Sequence, residues 1–199
     1  MIRLLRATDY RRMPWKNGGG ETREILVSPA GASLDTMEWR VSLATVASDG
    51  PFSEFRGITR TLSVIRGSGI TLRVGDRQAR QMRVSSEPHT FDGETPTSAT
   101  LIDGPIVDLN VMSRRGVADH RVKKISLDGS AQLATSGDVT LVFCRVGSVL
   151  CRAGKSSLEL GDEDCALIEG ETRAVQLVAS RASDLFVIEL YRALTSSGS

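Results

Sequence analysis

Apolar and polar residues alternate along this chain with a period of two, and this feature limits the fold most strongly. The alternating runs are rich in β-branched residues, recur about every 8 to 12 residues, and are separated by Gly, Pro, Asp and Asn. No long stretch shows the 3.6-residue period of an amphipathic helix. The pattern therefore predicts an all-β protein. The predicted strands are 21–28, 37–46, 60–66, 69–74, 79–85, 98–103, 106–113, 121–127, 138–145, 149–153, 157–160, 164–168, 173–179 and 184–190.

A weak internal repeat is visible when the chain is compared with itself. At an offset of 79 residues, Thr61-Leu62 falls on Thr140-Leu141, and at 77 the segment 92–95 falls on 169–172. At 76, Asp108-Leu109 falls on Asp184-Leu185. The order is kept and the offset shrinks in small steps, which is typical of a duplication followed by short loop deletions.

Each copy contains about 50 residues in five or six short strands, with additional strands before the first copy. Antiparallel units of this kind avoid exposed edges by closing into a barrel or jelly roll. We therefore expect a bicupin, that is, two cupin-like jelly-roll barrels. The predicted division is an N-terminal barrel at 1–116, a degenerate C-terminal barrel at 117–192 and a disordered tail at 193–199.

Charge and composition argue against several classes of partner. The 25 Lys and Arg residues against 24 Asp and Glu give a net charge of +1, so no strong field attracts nucleic acid or an anionic membrane. No apolar run approaches the ~20 residues that span a bilayer, and the N-terminus lacks the apolar core of a signal peptide. The three cysteines are too few for a disulfide framework, although Cys144 and Cys151 would face each other across a two-residue hairpin. We expect a cytoplasmic protein with reduced thiols, and neither a nucleic-acid nor a membrane partner.

Several short motifs occur in a fixed order and resemble one known family. They are the segment from Pro14 to Gly20 (PWKNGGG) with TREI at 22–25, WRVSLA at 39–44, DGPFS at 49–53 and DLNVM at 108–112. Over residues 1–190 this set is similar to the HutD/Ves family of cupin-fold proteins. The resemblance implies a bicupin that accompanies the bacterial histidine-utilisation genes and binds a pathway metabolite of the urocanate or formylglutamate class. It also implies an accessory or regulatory role in the pathway in place of catalysis.

The residues themselves indicate no metal, no other cofactor and no catalytic group. Metal-dependent cupins use a His-x-His motif with a Glu, whereas this chain has only His89 and His120. The usual cupin spacing places Arg60 where that Glu would stand, and a cation there repels a metal ion. His89, beside Pro88, is expected in an exposed loop. Two imidazoles also leave little scope for a nucleophilic triad.

The two halves differ at positions that alternation places inside a barrel. Asp108, Asn110 and Met112 share one strand face, which at an offset of 76 becomes Asp184, Phe186 and Ile188. Arg60 likewise becomes Val139 at an offset of 79. Polar groups that face inward need water or a ligand as partners, so we expect the pocket in the first half. The alternative is that Arg60 and Asn110 face solvent. Asp108 is expected to be structural, because Asp184 persists in the other copy.

Other candidate contacts follow from alternation and from the glycine-rich segment. Arg40 and Ser42 share the strand face opposite Trp39, Val41 and Leu43, so they are predicted to face either a barrel interior or water. In the interior, Arg40 would bind a carboxylate. The segment after Trp15 is either a flexible turn or a loop that covers a ligand. Of Arg114 and Arg115, alternation allows only one to point inward. The predicted ligand contacts are Trp15, Lys16, Asn17, Arg40, Ser42, Phe52, Arg60, Asn110, Met112 and Arg115.

Three functions remain open from the sequence. The first is a metal-free bicupin that binds a small anionic metabolite. The second is a metal-independent epimerase or isomerase, which needs an acid or base with a suitable pKa beside its substrate. The third is an interaction module in which both barrels are packed solid. A homodimer formed through a sheet face is compatible with all three.

Overall fold

The computed structural model of the chain describes residues 1–15, 20–170 and 174–193. This part is all-β, as the alternation predicts, with one short 3-10 turn at Ala7–Asp9 and no α-helix. None of its helices is long and apolar enough to cross a membrane. The strands are β1 Ile2–Leu5, β2 Arg11–Pro14, β3 Gly20–Ser28, β4 Trp39–Val46, β5 Gly50–Pro51, β6 Ile58–Arg66, β7 Ile70–Val74, β8 Arg80–Met82, β9 His89–Asp92, β10 Thr97–Leu101, β11 Ile106–Arg114, β12 Ala118–Leu127, β13 Ser130–Ala134, β14 Val139–Val146, β15 Val149–Ala153, β16 Ser156–Leu160, β17 Cys165–Glu169, β18 Ala174–Ala179 and β19 Ser183–Arg192.

The chain divides into two compact units, of which one comprises Arg11–Asp119. We call it the middle unit. It contains a six-stranded sheet with the order β2-β3-β4-β11-β6-β9 and a four-stranded sheet with the order β5-β10-β7-β8. Leu62 and Val64 of the larger sheet pack with Ile70 and Leu72 of the smaller one, so the apolar core lies between the sheets.

The other unit, which we call the terminal unit, joins Met1–Tyr10 to His120–Ser199. Its sheets have the orders β1-β17-β14-β19-β12 and β13-β18-β15-β16. The predicted division at 116 lies three residues before the observed one after Asp119, but it placed residues 1–10 with the wrong half. The reason is that β1 pairs along its length with β17. Of the predicted tail, residues 194–199 lie outside the described part of the chain.

The two units share one strand order. The run β4-β11-β6-β9 of the middle unit matches β12-β19-β14-β17 of the terminal unit, and β5-β10-β7-β8 matches β13-β18-β15-β16. Each strand corresponds to the strand eight places later in the chain. The order of strands in space therefore follows the repeat in the sequence.

The strand pairing corrects which residues of the two units are equivalent. In the middle unit the interior pairs are Met112–Arg60, Asn110–Leu62 and Asp108–Val64. The corresponding pairs in the terminal unit are Glu189–Thr140, Val187–Val142 and Leu185–Cys144. Asn110 thus corresponds to Val187, Asp108 to Leu185 and Arg60 to Thr140, one residue away from the assignment that the sequence offsets gave. The argument that Asp184 preserves the role of Asp108 is therefore wrong.

The three thiols are free and buried. Cys144 lies on β14 and Cys151 on β15, which belong to different sheets, so the two residues do not face each other in a hairpin. Both pack in the apolar core of the terminal unit. Burial raises the pKa of each to about 12, which keeps them in the unreactive thiol form.

Candidate functional site

A cavity of about 580 Å³ opens into the middle unit beside β2, β3 and the segment after β5. Its apolar wall is formed by Met13, Pro14, Trp15, Leu34, Phe52 and Phe55, and its polar lining by Thr22, Arg40 and Ser53. Among the described residues, three aromatic rings and one cation therefore line it. Trp15, Arg40 and Phe52 are the predicted contacts that line this space.

Trp15 is fixed at the mouth of the cavity by two hydrogen bonds. Its indole Nε1 donates to Thr22 Oγ1 at 2.9 Å, and its backbone N–H donates to Gly20 O, also at 2.9 Å. Gly20 is needed at this point, because a Cβ atom there would lie 1.9 Å from the carbonyl oxygen of Thr45 and 3.2 Å from the indole ring. The predicted contacts Lys16 and Asn17 lie outside the described residues.

Arg40 presents one edge of its guanidinium to the cavity. Its Nε donates to Glu24 Oε2 at 2.7 Å, whereas Nη2 reaches only the sulfur of Met13 at 3.9 Å. Thioether sulfur is a weak acceptor. Among the described residues, neither terminal nitrogen of Arg40 has an oxygen partner. This edge of the guanidinium is therefore available to an acceptor in the cavity.

Arg60 lies one layer behind the cavity wall and is only 6% exposed. Its guanidinium carbon is 5.5 Å from the ring centre of Phe52, 5.2 Å from that of Phe55 and 5.4 Å from that of Phe91. Cations are attracted to the faces of such rings. Nη1 makes a long hydrogen bond of 3.4 Å to Ser53 O, and the buried Nε has no partner in the part of the chain that the structure describes. Burial lowers the pKa of Arg60 to about 10, against the attraction of Asp108.

A chain of hydrogen bonds connects Arg60 to a buried carboxylate. Arg60 Nη2 donates to Asn110 Oδ1 at 2.9 Å, and Asn110 Nδ2 donates to Asp108 Oδ1. Asn110 is 6% exposed and Asp108 only 1%. Burial raises the pKa of Asp108 to about 7, and Arg60 and Asn110 act in the opposite direction. The alternative in which Arg60 and Asn110 face solvent is therefore wrong.

The other predicted contacts lie away from the cavity lining. Ser42 is buried beside Asn110 on the adjacent strand. Met112 packs in a small apolar cluster with Val27, Met37 and Ile58. Arg115 binds the Glu94 and Asp92 carboxylates and the carbonyl of Ile58, so its charge is used near the protein surface.

Sequence reasoning missed Glu24, Phe55 and Phe91, which complete the surroundings of the two arginines. A register shift between Glu24 and Leu26 moves Glu24 opposite Ser42, and period-two counting along a single strand does not detect such a shift. Phe55 and Phe91 are aromatic residues near predicted turns, and their proximity to Arg60 depends on pairing between distant strands. His89 was expected in a loop, but it begins β9 and stacks on Phe91 at 5.9 Å.

No group of three or more His, Cys, Asp or Glu side chains placed to hold a metal ion occurs within residues 1–15, 20–170 and 174–193. The cavity lining offers Arg40 as its charged group. The arrangement is suited to holding an anion against aromatic rings.

The sequence model of the HutD family matches residues 7–187. The chain belongs to the HutD family. A Pseudomonas putida relative, described as an uncharacterised 21.2 kDa protein in the hutC 3' region, is 36% identical over 177 residues, which cover 88% of this chain and 91% of that protein. Protein Ves of Citrobacter koseri is 37% identical over 119 residues, which cover 58% of this chain and 61% of that protein. The resemblance found in the motifs is thus confirmed.

Solved structures agree with the membership of the HutD family. HutD from Pseudomonas fluorescens SBW25 has a TM-score of 0.82 and 32% identity, covering 96% of this chain and 99% of that one. A conserved protein of unknown function from Pseudomonas aeruginosa PAO1 has a TM-score of 0.90 at 32% identity with the same coverage. A cupin 2 conserved barrel domain protein from Leptotrichia buccalis has a TM-score of 0.59 at 10% identity over 93% of this chain and 99% of that chain, which shows a cupin-like fold and nothing about function.

Proposed function

We propose that this protein binds a small anionic metabolite in the cavity of the middle unit, without a metal ion. The observation that carries the proposal is the guanidinium edge of Arg40, which faces a cavity of about 580 Å³ and, among the described residues, has a sulfur atom and no oxygen as its partner. The volume falls within the ~300–1,000 Å³ that small-molecule sites usually have. A carboxylate is the acceptor that fits the two terminal nitrogens of an arginine.

The aromatic wall favours a ligand with a flat or apolar part. Trp15, Phe52 and Phe55 line the same cavity as Arg40. A charge-assisted hydrogen bond contributes about 1.5–3 kcal/mol. That range corresponds to roughly a 10- to 100-fold change in affinity. The ligand is proposed to be of the urocanate or formylglutamate class.

The biological role is proposed to be that of an accessory or regulatory protein of bacterial histidine utilisation, acting in the cytoplasm. Support comes from the HutD family itself and from the Pseudomonas putida relative, which is described by its position beside hutC. We also propose that the two units arose by internal duplication, which gave a bicupin. The shared strand order and the sequence repeat support this origin.

An enzymatic function has less support. General acid or base catalysis needs a titratable group within hydrogen-bond reach of the substrate. The cavity lining contains Arg40 but no carboxyl, imidazole or thiol group among the described residues. Asp108 has a shifted pKa, but it lies behind the wall.

Calorimetric titration with urocanate and with N-formylglutamate tests the binding proposal. Arg40→Gln should weaken binding of the better ligand by roughly 10- to 100-fold, because it removes the charged partner. Arg12→Gln is the matched control, since Arg12 is also paired with a glutamate, Glu21, but is exposed and absent from the cavity lining. Absence of binding by the wild-type protein, or equal affinity in the Arg40→Gln variant, would contradict the proposal.

A further inference from the structure

Among the described residues, two pairs of a cation and a carboxylate lie in or just behind the cavity wall. Arg40 pairs with Glu24, and Arg60 is connected to Asp108 through Asn110. With both carboxyl groups ionised, the charges of these two described pairs cancel. An anionic ligand therefore adds one uncompensated negative charge to a partly desolvated site, and such a charge is costly.

Of the two carboxylates, Asp108 is the one whose ionised form is less well stabilised by its neighbours. Glu24 receives a direct charged hydrogen bond from Arg40 Nε at 2.7 Å. Asp108 is more deeply buried and receives its side-chain hydrogen bond from the neutral amide of Asn110. A buried carboxylate held only by a neutral donor is the group that gains most from a proton.

Few other groups near Asp108 could take up a proton in its place when an anion binds. On the adjacent strands, Asp108 is flanked by Ala44 and Val64. The facing sheet contributes apolar side chains such as Ile70, Leu72 and Val74. Among the described residues, the charged and titratable groups on this face of the larger sheet are Arg60 on β6, Arg40 on β4, Glu24 on β3, His89 on β9, Arg114 on β11 and Arg11 on β2. Arg80 of the facing sheet reaches His89.

Arg60 connects the cavity to Asp108 electrostatically. Its guanidinium contacts Phe52 and Phe55 and reaches the carbonyl of Ser53, and all three of these residues line the cavity. A ligand anion in the cavity and the Asp108 carboxylate therefore lie on two sides of one buried cation. The two negative charges compete for the same positive charge.

On the basis of the proposed function, we infer that an anion enters this cavity together with one proton, which Asp108 takes up from solvent. The step converts the Asp108 carboxylate to a carboxylic acid and forms one O–H bond. Arg60 keeps its hydrogen bond to Asn110, and its positive charge then balances the charge of the ligand. Burial already raises the pKa of Asp108 to about 7, so the exchange occurs near neutral pH.

The sign of the pH dependence follows directly. Above the pKa of Asp108 in the free protein, binding consumes a proton, so affinity should fall by up to about tenfold for each unit of rising pH. Below that pKa the proton is already bound, and affinity should no longer depend on this group. The effect is also expected to favour monoanions over dianions, since one protonated carboxyl compensates one charge.

Calorimetry in buffers of different ionisation enthalpy measures the proton directly. With urocanate as the probe at pH 8, in HEPES and in Tris, the wild-type protein should take up close to one proton per ligand, and at pH 6 close to none. Benzoate, which has no second titratable group, should behave in the same way if it binds. Asp108→Asn should still bind urocanate but take up no proton, whereas His89→Asn should keep the uptake.

The outcomes separate the two proposals. Binding of urocanate at pH 8 without proton uptake, or with uptake that persists in Asp108→Asn, would overturn the proton inference and leave the binding proposal intact. Failure of the wild-type protein to bind either urocanate or N-formylglutamate would overturn both. If Asp108→Asn does not fold, carbon-13 NMR of the aspartate carboxyls in the wild-type protein replaces it. The Asp108 signal should then titrate near neutrality and move to higher pH when urocanate is added, and a signal that does not move would refute the inference.

Discussion

The two units have the same strand order, but buried polar side chains of the middle unit are replaced mostly by apolar ones in the terminal unit. Arg60, Asn110 and Asp108 in the middle unit correspond by strand pairing to Thr140, Val187 and Leu185 in the terminal unit. The terminal unit packs this region with apolar side chains such as Val142, Cys144 and Leu185. The strand arrangement therefore does not require the buried polar chain.

The difference between the units indicates why Arg60, Asn110 and Asp108 are buried in the middle unit. Replacing buried ion pairs by apolar residues of similar volume is often neutral or stabilising. The middle unit contains a buried arginine whose Nε lacks a partner, together with a buried aspartate. The terminal unit has the same strand order without these groups. The presence of the buried polar side chains in the middle unit is therefore better explained by the proposed ligand binding than by a contribution to stability.

The largest expected effect on stability comes from replacing one of the hydrogen-bonded residues Arg60, Asn110 and Asp108. Asp108→Leu introduces the residue of the terminal unit but leaves Arg60 buried without its carboxylate. Arg60 and Asp108 are not in direct contact, but removing the carboxylate leaves the buried Arg60 charge uncompensated, which for buried pairs costs up to about 3–5 kcal/mol. Urea denaturation should show a loss of this size in the free energy of unfolding.

The triple variant Arg60→Thr, Asp108→Leu and Asn110→Val serves as the control. It gives the middle unit the interior of the terminal unit, so it should recover much of the lost stability and have weakened urocanate binding. A triple variant that is no more stable than Asp108→Leu alone would break the comparison.

An effect of similar total size, distributed over about three pH units, is expected in the pH dependence of stability. The folded protein raises the pKa of Asp108 to about 7, so between about pH 4 and pH 7 the folded state binds a proton that the unfolded state has released. The free energy of unfolding should therefore decrease as the pH rises through this window, by at most about 1.4 kcal/mol per pH unit from this group.

Asp108→Asn should remove this contribution, which thermal or urea unfolding at several pH values can measure. The difference between wild-type and variant isolates Asp108 from carboxyls such as Glu94 and Asp184, whose pKa values are lowered. A constant difference across the window would show that Asp108 does not titrate as its burial requires.

The smallest effect is expected at Arg115, which was a predicted ligand contact. Its partners Asp92 and Glu94 lie near the surface, and exposed ion pairs contribute about 0–1 kcal/mol. Arg115→Gln should therefore change the affinity for urocanate by less than about twofold, a factor worth only ~0.4 kcal/mol. A loss comparable to that of Arg40→Gln would place Arg115 in the binding site after all.

Much of the fold could be predicted from the sequence, because a strand with one buried face alternates apolar and polar residues. The strands β4, β6, β11 and β14 lie within two residues of their predicted bounds. Five strands were missed, namely β1, β2, β5, β9 and β13. Apart from β2, which pairs with the neighbouring β3, they are defined by partners far away in the chain. β1 in particular is recognisable only once β17 is present beside it.

The candidate site could be predicted only in part from the sequence. Alternation left both an interior and a solvent-facing position open for Arg40 and Arg60, and the structure buries both. Alternation could not show that Glu24 occupies one edge of Arg40. It also assigned Phe186 to the position that Val187 holds. The pairing is interrupted by bulges near Asp108 and near Cys144, and the sequence offsets missed the true equivalence by one residue. A one-residue error moves every side chain to the opposite face.

The sequence by itself determined that this protein is all-β and that its first half carries arginine and asparagine on predicted strands. Those properties depend on residue type and spacing within single strands. Only the tertiary structure decided that Arg40 faces a cavity while Arg60 stands behind aromatic rings and is connected to Asp108. Burial, and with it the pKa of a carboxyl group, is set by neighbours that come from distant strands, and no local pattern records their positions.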